Sequence, residues 1–198
     1  MAAVVAVTGG IAAGKTVLSD YCAERHGVDV IDTDRVTHEL LASDDLVHTR
    51  IRERFGPEVF LDNGSISRKA LREVVFSQPQ MKRYLEQIMH PRIREHVHDF
   101  VIKSRSAYVM VVVPLLVETQ SQSRYDRIIV VDSPINDRYK RCEARGLRPD
   151  MIQAILQSQA SKWDRLAVAD DIVYNRRGLD FFYQQIDKLI CHYRRLFS

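Results

Sequence analysis

A glycine-rich segment near the beginning of the chain combines residue types and spacing that could do chemistry. Residues 9–16 read Gly-Gly-Ile-Ala-Ala-Gly-Lys-Thr and match the pattern GxxxxGK[ST] in full. A short apolar run precedes the segment and a helical pattern follows it, which is the context that this pattern requires. We therefore predict a phosphate loop that binds a nucleotide; the alternative is a glycine turn that precedes a helix by chance. The loop alone does not distinguish a kinase from a GTPase, an ATPase motor or a helicase.

The residue types of this loop each have a physical task. Gly9 and Gly14 permit backbone angles that a side chain would oppose, so that backbone N–H groups can turn toward phosphate oxygens. The start of the following helix adds partial positive charge. Lys15 is expected to reach the β- and γ-phosphates, and the Thr16 hydroxyl is expected to ligate Mg²⁺. The predicted ATP-binding residues of the loop are Gly9, Gly10, Ile11, Ala12, Ala13, Gly14, Lys15, Thr16 and Val17.

Two carboxylates follow the second apolar run of the chain, Val28–Ile31. Asp32 and Asp34 stand where a phosphate acceptor would lie, at the carboxyl ends of parallel strands. A carboxylate in that place orients an attacking hydroxyl and accepts its proton. Alternate strand residues share a face, so both side chains can point to the site. Asp34 is predicted to be catalytic, with Asp32 beside it in the acceptor site; the alternative is that Asp34 caps the next helix.

A basic cluster lies in the second half of the chain. Arg138, Arg141 and Arg145 are three and four residues apart, a spacing that places side chains on one face of a helix. Such a face could close over ATP and neutralise charge on the transferring phosphoryl group. The predicted lid covers about residues 138–150, with Arg141 as a catalytic residue beside Lys15 and Asp34. The alternative is a solvated basic surface.

The elements that must position these residues are predicted from apolar periodicity. Five short β-rich runs indicate parallel strands. The first of them is apolar on both faces, as is typical of a buried parallel strand. They are Val4–Val7, Val28–Ile31, Tyr108–Val113, Arg127–Val131 and Asp171–Tyr174. Helical patterns separate them. The fold class predicted is α/β, with a five-stranded parallel sheet forming a phosphate-loop kinase core.

The part of the chain between the second and third strands is too long for one crossover helix. Its 72 residues between Asp34 and Ala107 contain helical patterns only. We predict a helical acceptor subdomain at residues 35–106 and a nucleotide-binding core at residues 1–34 and 107–198.

Local signals predict where several helices begin. Ser67 is a plausible N-cap, and Pro79 and His90-Pro91 each suit the first turn of a helix. The pattern from Ile152 to Trp163 is interpreted as one helix.

Composition limits the class of protein. The 198 residues carry a formal charge of +3, from 29 Lys and Arg and 26 Asp and Glu, which is weak for a general nucleic-acid binder. The three cysteines lie far apart, so neither zinc nor a disulfide framework is expected, and a cytoplasmic location is the simplest interpretation. No secretory signal and no membrane partner are expected, because the apolar runs are short.

Sequence blocks along nearly the whole chain resemble those of the dephospho-coenzyme A kinase family and occur in the family's order. The most specific of them are the VID-x-D block and the VPLLVE block. The blocks are Thr8–Ile11, Gly14-Lys15, Val30–Asp34, Phe55-Gly56, Asp62–Gly64, Arg68, Leu71-Arg72, His90-Pro91, Val113–Glu118, Val131-Asp132, Leu166-Ala167, Ala169–Asp171 and Asn175.

The resemblance implies phosphorylation of the ribose 3′-hydroxyl of dephospho-coenzyme A by ATP, with Mg²⁺ as cofactor and those two small molecules as partners. It also implies a nucleoside-monophosphate-kinase-like fold with a lid. On the same ground Asn175 is assigned to ATP, near adenine, with a simple Asn turn as the alternative, and His90 is assigned to the acceptor. Glu118 follows the third strand and is assigned to the acceptor site, with the magnesium site as a second option. A helix start for His90 and a simple loop carboxylate for Glu118 are the alternatives.

The loop departs from the family's usual GGIGSGKS at three positions. Thr16 keeps the hydroxyl, and Ala13 changes only a side chain where the backbone does the binding. Ala12 replaces a glycine that supplies positive φ, so we expect activity with altered nucleotide affinity. Two other functions stay open on the residues alone: a kinase for another nucleoside or metabolite, and a nucleotide-binding switch without chemistry.

Overall fold

The structure, a computed structural model, describes residues 2–198. The strands are β1 (Ala3–Thr8), β2 (Asp29–Asp32), β3 (Tyr108–Val112), β4 (Arg127–Asp132) and β5 (Asp171–Tyr174). The helices are α1 (Lys15–His26), α2 (Thr33–Ser43), α3 (Asp45–Phe55), α4 (Arg68–Ser77), α5 (Pro79–Lys103), α6 (Ile135–Ala144), α7 (Pro149–Ser158), α8 (Lys162–Ala167) and α9 (Leu179–Leu196). All five predicted strands are present.

The strands form one sheet in the order β2-β3-β1-β4-β5, and every pairing is parallel. The predicted α/β class is therefore confirmed. Its cause is visible in β1, where Val5, Ala6 and Val7 are fully buried because helices cover both faces of a parallel sheet. As the central strand, β1 delivers the end of Thr8, and hence the glycine-rich segment, to the middle of the sheet's carboxyl edge.

The chain divides into two compact units. The first comprises the residues up to Asp32 together with Val101–Ser198. It holds the sheet, and its core includes Leu18 of α1 and Phe182, Ile186 and Tyr193 of α9. Within residues 2–198, no helix has both the length and the apolar character that crossing a membrane requires.

The second unit is Thr33–Phe100 and is built from helices. Val47 and Ile51 on α3 are fully buried in it. The Asp44 side chain caps α3 by accepting from the Val47 N–H at 2.9 Å. The predicted cap at Ser67 is also present, where Oγ accepts from the Ala70 N–H at 3.3 Å.

Two predictions about helix boundaries are wrong, and the alternative that Asp34 caps a helix does not hold. No helix begins at His90-Pro91: α5 runs through both residues, with Pro91 inside it. The buried Ile88 and Met89 indicate that packing sustains the turn in which Pro91 lacks a donor.

Trp163 does not continue the helix of Ile152; it belongs to α8, which Ser161 begins with a capping box. Asp34 is the second residue of α2, so it lies inside the first turn and not at the N-cap position before the helix. The helix dipole favours a carboxylate in that turn.

Candidate nucleotide-binding site

The glycine-rich segment links the end of β1 to the start of α1. Its turn is closed by a hydrogen bond from the Ala13 N–H to the Gly10 carbonyl at 3.2 Å. Gly9 and Gly14 have φ angles of 151° and 115°. A Cβ on Gly9 would lie 2.5 Å from the Val131 carbonyl oxygen, and one on Gly14 would lie 2.4 Å from Asn175 Nδ2. Glycine is thus required at both positions by backbone angle and by space.

Ala12 has a positive φ of 54°, as its replacement of a family glycine predicts. Its methyl group is buried, 7% exposed, in a small cluster with Cys142 and Ile152. An alanine in this region of backbone space is strained by about 1–2 kcal/mol. Packing of the methyl group offsets part of that strain.

Lys15 folds back over the loop. Its Nζ donates to the Gly9 carbonyl at 2.8 Å and to the Gly10 carbonyl at 3.1 Å. Thr16, next along α1, is exposed. The ammonium and the hydroxyl therefore stand at the start of the helix, where its dipole also favours an anion.

Three consecutive carbonyls of the loop accept side-chain hydrogen bonds. Ile11 O accepts from Arg138 Nε at 2.9 Å, Ala12 O from Arg141 at 3.0 Å, and Ala13 O from Asn175 Nδ2 at 2.8 Å. In a trans peptide the C=O and the following N–H point in opposite directions. Holding the carbonyls of residues 11 and 13 therefore turns the N–H groups of residues 12 and 14 the other way, as an anion-binding loop requires.

The two arginines that hold the loop differ in burial. Arg138 is 7% exposed, and burial together with the nearby Arg165 lowers the pKa of its guanidinium. Arg141 is half-buried and also donates to the Ser133 hydroxyl at 3.0 Å and to Asn175 Oδ1 at 3.4 Å. The two guanidinium groups thereby concentrate positive charge at the loop.

The family model described as dephospho-CoA kinase matches residues 3–180. The chain belongs to the dephospho-CoA kinase family. The dephospho-CoA kinase of Aromatoleum aromaticum is 41% identical to it over 191 residues, which are 96% of this chain and 93% of the relative.

Two solved structures extend the comparison. The dephospho-CoA kinase from Campylobacter jejuni is 27% identical, with a TM-score of 0.71 and 96% of each chain covered. A shikimate kinase from Bacteroides thetaiotaomicron is 16% identical, with a TM-score of 0.54, and 94% of this chain and 95% of that chain are covered. The latter likeness is one of fold alone.

The structure brings some of the predicted site residues of this dephospho-CoA kinase family member together within the first unit. Arg141 and Asn175 both contact the loop. Arg145 does not continue the face of α6, because the helix ends at Ala144 and Arg145 is its C-cap. Glu118 accepts from the Ala160 N–H at 2.7 Å.

Other predicted residues lie elsewhere in the chain. Asp32 is the last residue of β2 and belongs to the first unit. Asp34, in the first turn of α2, and His90, in the middle of α5, belong to the second unit. Their assignment to the acceptor stays a prediction.

Sequence reasoning missed two residues that hold the loop of this kinase family member. The spacing of Arg138 and Arg141 predicts that both lie on one helix face, but it does not predict that Arg138 donates to the Ile11 carbonyl. Gln159 has no signal in the sequence: its Oε1 accepts from the Ile11 N–H at 2.9 Å across 148 residues of chain.

Proposed function

We propose that the chain transfers the γ-phosphoryl group of ATP to the ribose 3′-hydroxyl of dephospho-CoA, giving CoA and ADP. This is the last step of CoA biosynthesis, and membership of the dephospho-CoA kinase family, whose model matches residues 3–180, supports it. The observation that carries the proposal is the loop whose consecutive carbonyls are held outward by Arg138, Arg141 and Asn175. Such a loop is prepared for the phosphates before ATP arrives.

In this proposal residues 9–17 bind the triphosphate, and Lys15 leaves the Gly9 and Gly10 carbonyls for the β- and γ-phosphates. The ammonium and the loop N–H groups then stabilise the charge that develops on the transferring group. Asn175 fixes the loop through its hydrogen bond to the Ala13 carbonyl and is proposed to lie next to the nucleotide. These contacts lower the activation barrier by electrostatics and position rather than by covalent chemistry.

The residues of the loop fit Mg²⁺. The Thr16 hydroxyl would hold it, and no group of three or more His, Cys, Asp or Glu able to hold a metal occurs within residues 2–198. Mg²⁺ suits such a site because it takes one or two protein oxygens and completes its shell with waters and substrate phosphates. When bound, it supplies charge neutralisation at the β- and γ-phosphates.

Asp34 is the proposed base for the 3′-hydroxyl, with Asp32 and His90 as the remaining proposed acceptor residues. A carboxylate accepts the hydroxyl proton as the oxygen attacks phosphorus.

Arg141 is the proposed arginine on the transferring phosphoryl group, in a lid at about residues 138–150. Its guanidinium presents five N–H donors, so contact with a phosphoryl oxygen is compatible with its bond to Ala12. The cytosolic location proposed for the reaction is supported by three free cysteines, Cys22, Cys142 and Cys191.

The test is an acceptor assay. ADP release with Mg·ATP is measured for dephospho-CoA and for a panel of nucleosides and shikimate, and the CoA product is identified by its mass. We expect turnover with dephospho-CoA at a kcat/KM at least about a hundred times that of any other acceptor. A matched variant, Lys15→Ala, should keep the fold and lose turnover, because the phosphate charge is then uncompensated.

Turnover of another acceptor in preference to dephospho-CoA would show a different small-molecule kinase. Tight ATP binding with no turnover on any acceptor would show a nucleotide-binding switch. Either result contradicts the proposal.

A further inference from the structure

The linker between α7 and α8 is held on both sides of one residue. The Ala160 N–H donates to Glu118 Oε1 at 2.7 Å, and the Ala160 carbonyl accepts from Arg165 at 2.5 Å. Glu118 comes from the loop after β3, 42 residues away in the chain. Two separate elements thus fix a linker that would otherwise be free to move.

The neighbouring residue of that linker contacts the phosphate loop. Gln159 Oε1 accepts from the Ile11 N–H at 2.9 Å and from Arg138 at 3.3 Å. Arg138 in turn donates to the Ile11 carbonyl at 2.9 Å. Both backbone polar groups of Ile11 are therefore held, and the plane of the loop at this residue depends on where Gln159 lies.

Glu118 contributes its negative charge to this region as well as an acceptor oxygen. Arg138 and Arg165 are both only 7% exposed and repel each other. Burial lowers the pKa of Arg165, while Glu118, followed by Asp132 and Asp164, works to raise it. Glu118 thus acts on the Ala160 peptide in two ways. It accepts from the Ala160 N–H, and its charge stabilises the Arg165 guanidinium that donates to the Ala160 carbonyl.

We infer that Glu118 is a positioning residue for the phosphate loop, acting through the Ala160 peptide on Gln159, which fixes Ile11. The inference rests on the proposed function insofar as the loop binds ATP. It assigns Glu118 to the nucleotide side, whereas the sequence predicts a place in the acceptor site. Gln159 becomes a second positioning residue of the same relay.

The first experiment measures binding of a non-hydrolysable ATP analogue with Mg²⁺ to Glu118→Ala, Gln159→Met and the double variant by calorimetry. Each single variant loses hydrogen bonds that orient the loop, so each should raise Kd about three- to tenfold. Because both act on one relay, the double variant should raise Kd by clearly less than the product of the two single effects.

Steady-state kinetics separate positioning from direct contact with the acceptor. We expect Glu118→Ala to raise the KM for ATP and leave the KM for dephospho-CoA within about twofold, since Glu118 contacts the linker. The conservative variant Gln159→Glu keeps an accepting oxygen and should restore much of the affinity that Gln159→Met loses. Gln157→Met makes the same substitution on an exposed residue of α7, two positions before Gln159, and should match the wild type.

A raised KM for dephospho-CoA with an unchanged nucleotide Kd in Glu118→Ala would overturn the inference. Fully multiplicative effects in the double variant would also overturn it. Thermal unfolding checks that each variant is folded; if Glu118→Ala is not, Glu118→Met, which keeps the length of the side chain but has no acceptor oxygen, gives the same cycle with Gln159→Met. If the wild type does not phosphorylate dephospho-CoA but the variants still lose nucleotide affinity, the proposed function fails and this inference stands.

Discussion

Ala12 and Ala13 are adjacent buried alanines of the phosphate loop with different backbone conformations. Ala12 has φ of 54°, whereas Ala13 is not among the described residues with positive φ. They are 7% and 1% exposed, so each loses a buried methyl group on substitution by glycine. The pair therefore separates the energy of backbone strain from the energy of packing at one site.

Glycine at the two positions should have unequal effects on stability. Both substitutions lose methyl burial and add freedom to the unfolded chain, about 1–2 kcal/mol together. Only Ala12→Gly also relieves about 1–2 kcal/mol of strain. We expect Ala12→Gly to leave the free energy of unfolding within about 1 kcal/mol of the wild type and Ala13→Gly to lower it by about 1–2 kcal/mol. Urea unfolding measures both; equal losses would show that Ala12 is unstrained.

At the scale of elements, the sequence predicts the strands well because each contains a short apolar run between turns. Burial on both faces of a parallel sheet demands that composition most strongly in the inner strands β1, β3 and β4, whereas β2 and β5 at the edges are less buried. The prediction that a helix starts at His90-Pro91 is wrong because a local signal for a helix start does not reveal the burial of Ile88 and Met89 in the preceding turn. The phosphate loop follows from spacing alone. Gln159 does not, because its contact with Ile11 exists only once the chain has folded.

The start of α3 depends on one carboxylate. Asp44 is 10% exposed in its side chain, accepts from the Val47 N–H, and is bound by Arg92 Nε at 3.1 Å. Partial burial works to raise the pKa of Asp44, but hydrogen bonds from Arg92 and from Val47 outweigh it and hold the pKa below its usual value. The ionised form is therefore the one that stabilises the helix.

Removal of this cap should destabilise the second unit. We expect Asp44→Ala to lower the free energy of unfolding by about 1–2 kcal/mol, and Asp44→Asn, which keeps a capping oxygen, to lower it by less. A depressed folded-state pKa gives stability that is present above the unfolded value, near 4, and lost as pH falls through the folded value. Urea unfolding between pH 7 and pH 2 should thus show the gap between wild type and Asp44→Asn closing below about pH 4. A gap independent of pH would contradict the role of charge.

At the scale of the whole molecule, the chain consists of two compact units, and we propose that each binds one of the two substrates. The first unit holds the sheet, the phosphate loop and every residue seen to grip that loop. The second unit, Thr33–Phe100, holds Asp34 and His90. If the acceptor subdomain predicted from sequence is correct, each substrate should protect the backbone amides of a different unit from hydrogen exchange.

Hydrogen exchange measured by mass spectrometry on the intact protein tests that division. The non-hydrolysable ATP analogue with Mg²⁺ should slow exchange of the amides of residues 9–17, because their N–H groups then bind phosphate oxygens. Dephospho-CoA alone should slow exchange within Thr33–Phe100, since ordering by a ligand suppresses local opening of the element that binds it. Nucleosides that are not phosphorylated serve as controls and should leave the second unit unprotected. Protection by dephospho-CoA confined to the first unit would assign both substrates to the sheet and remove the acceptor role from the helical unit.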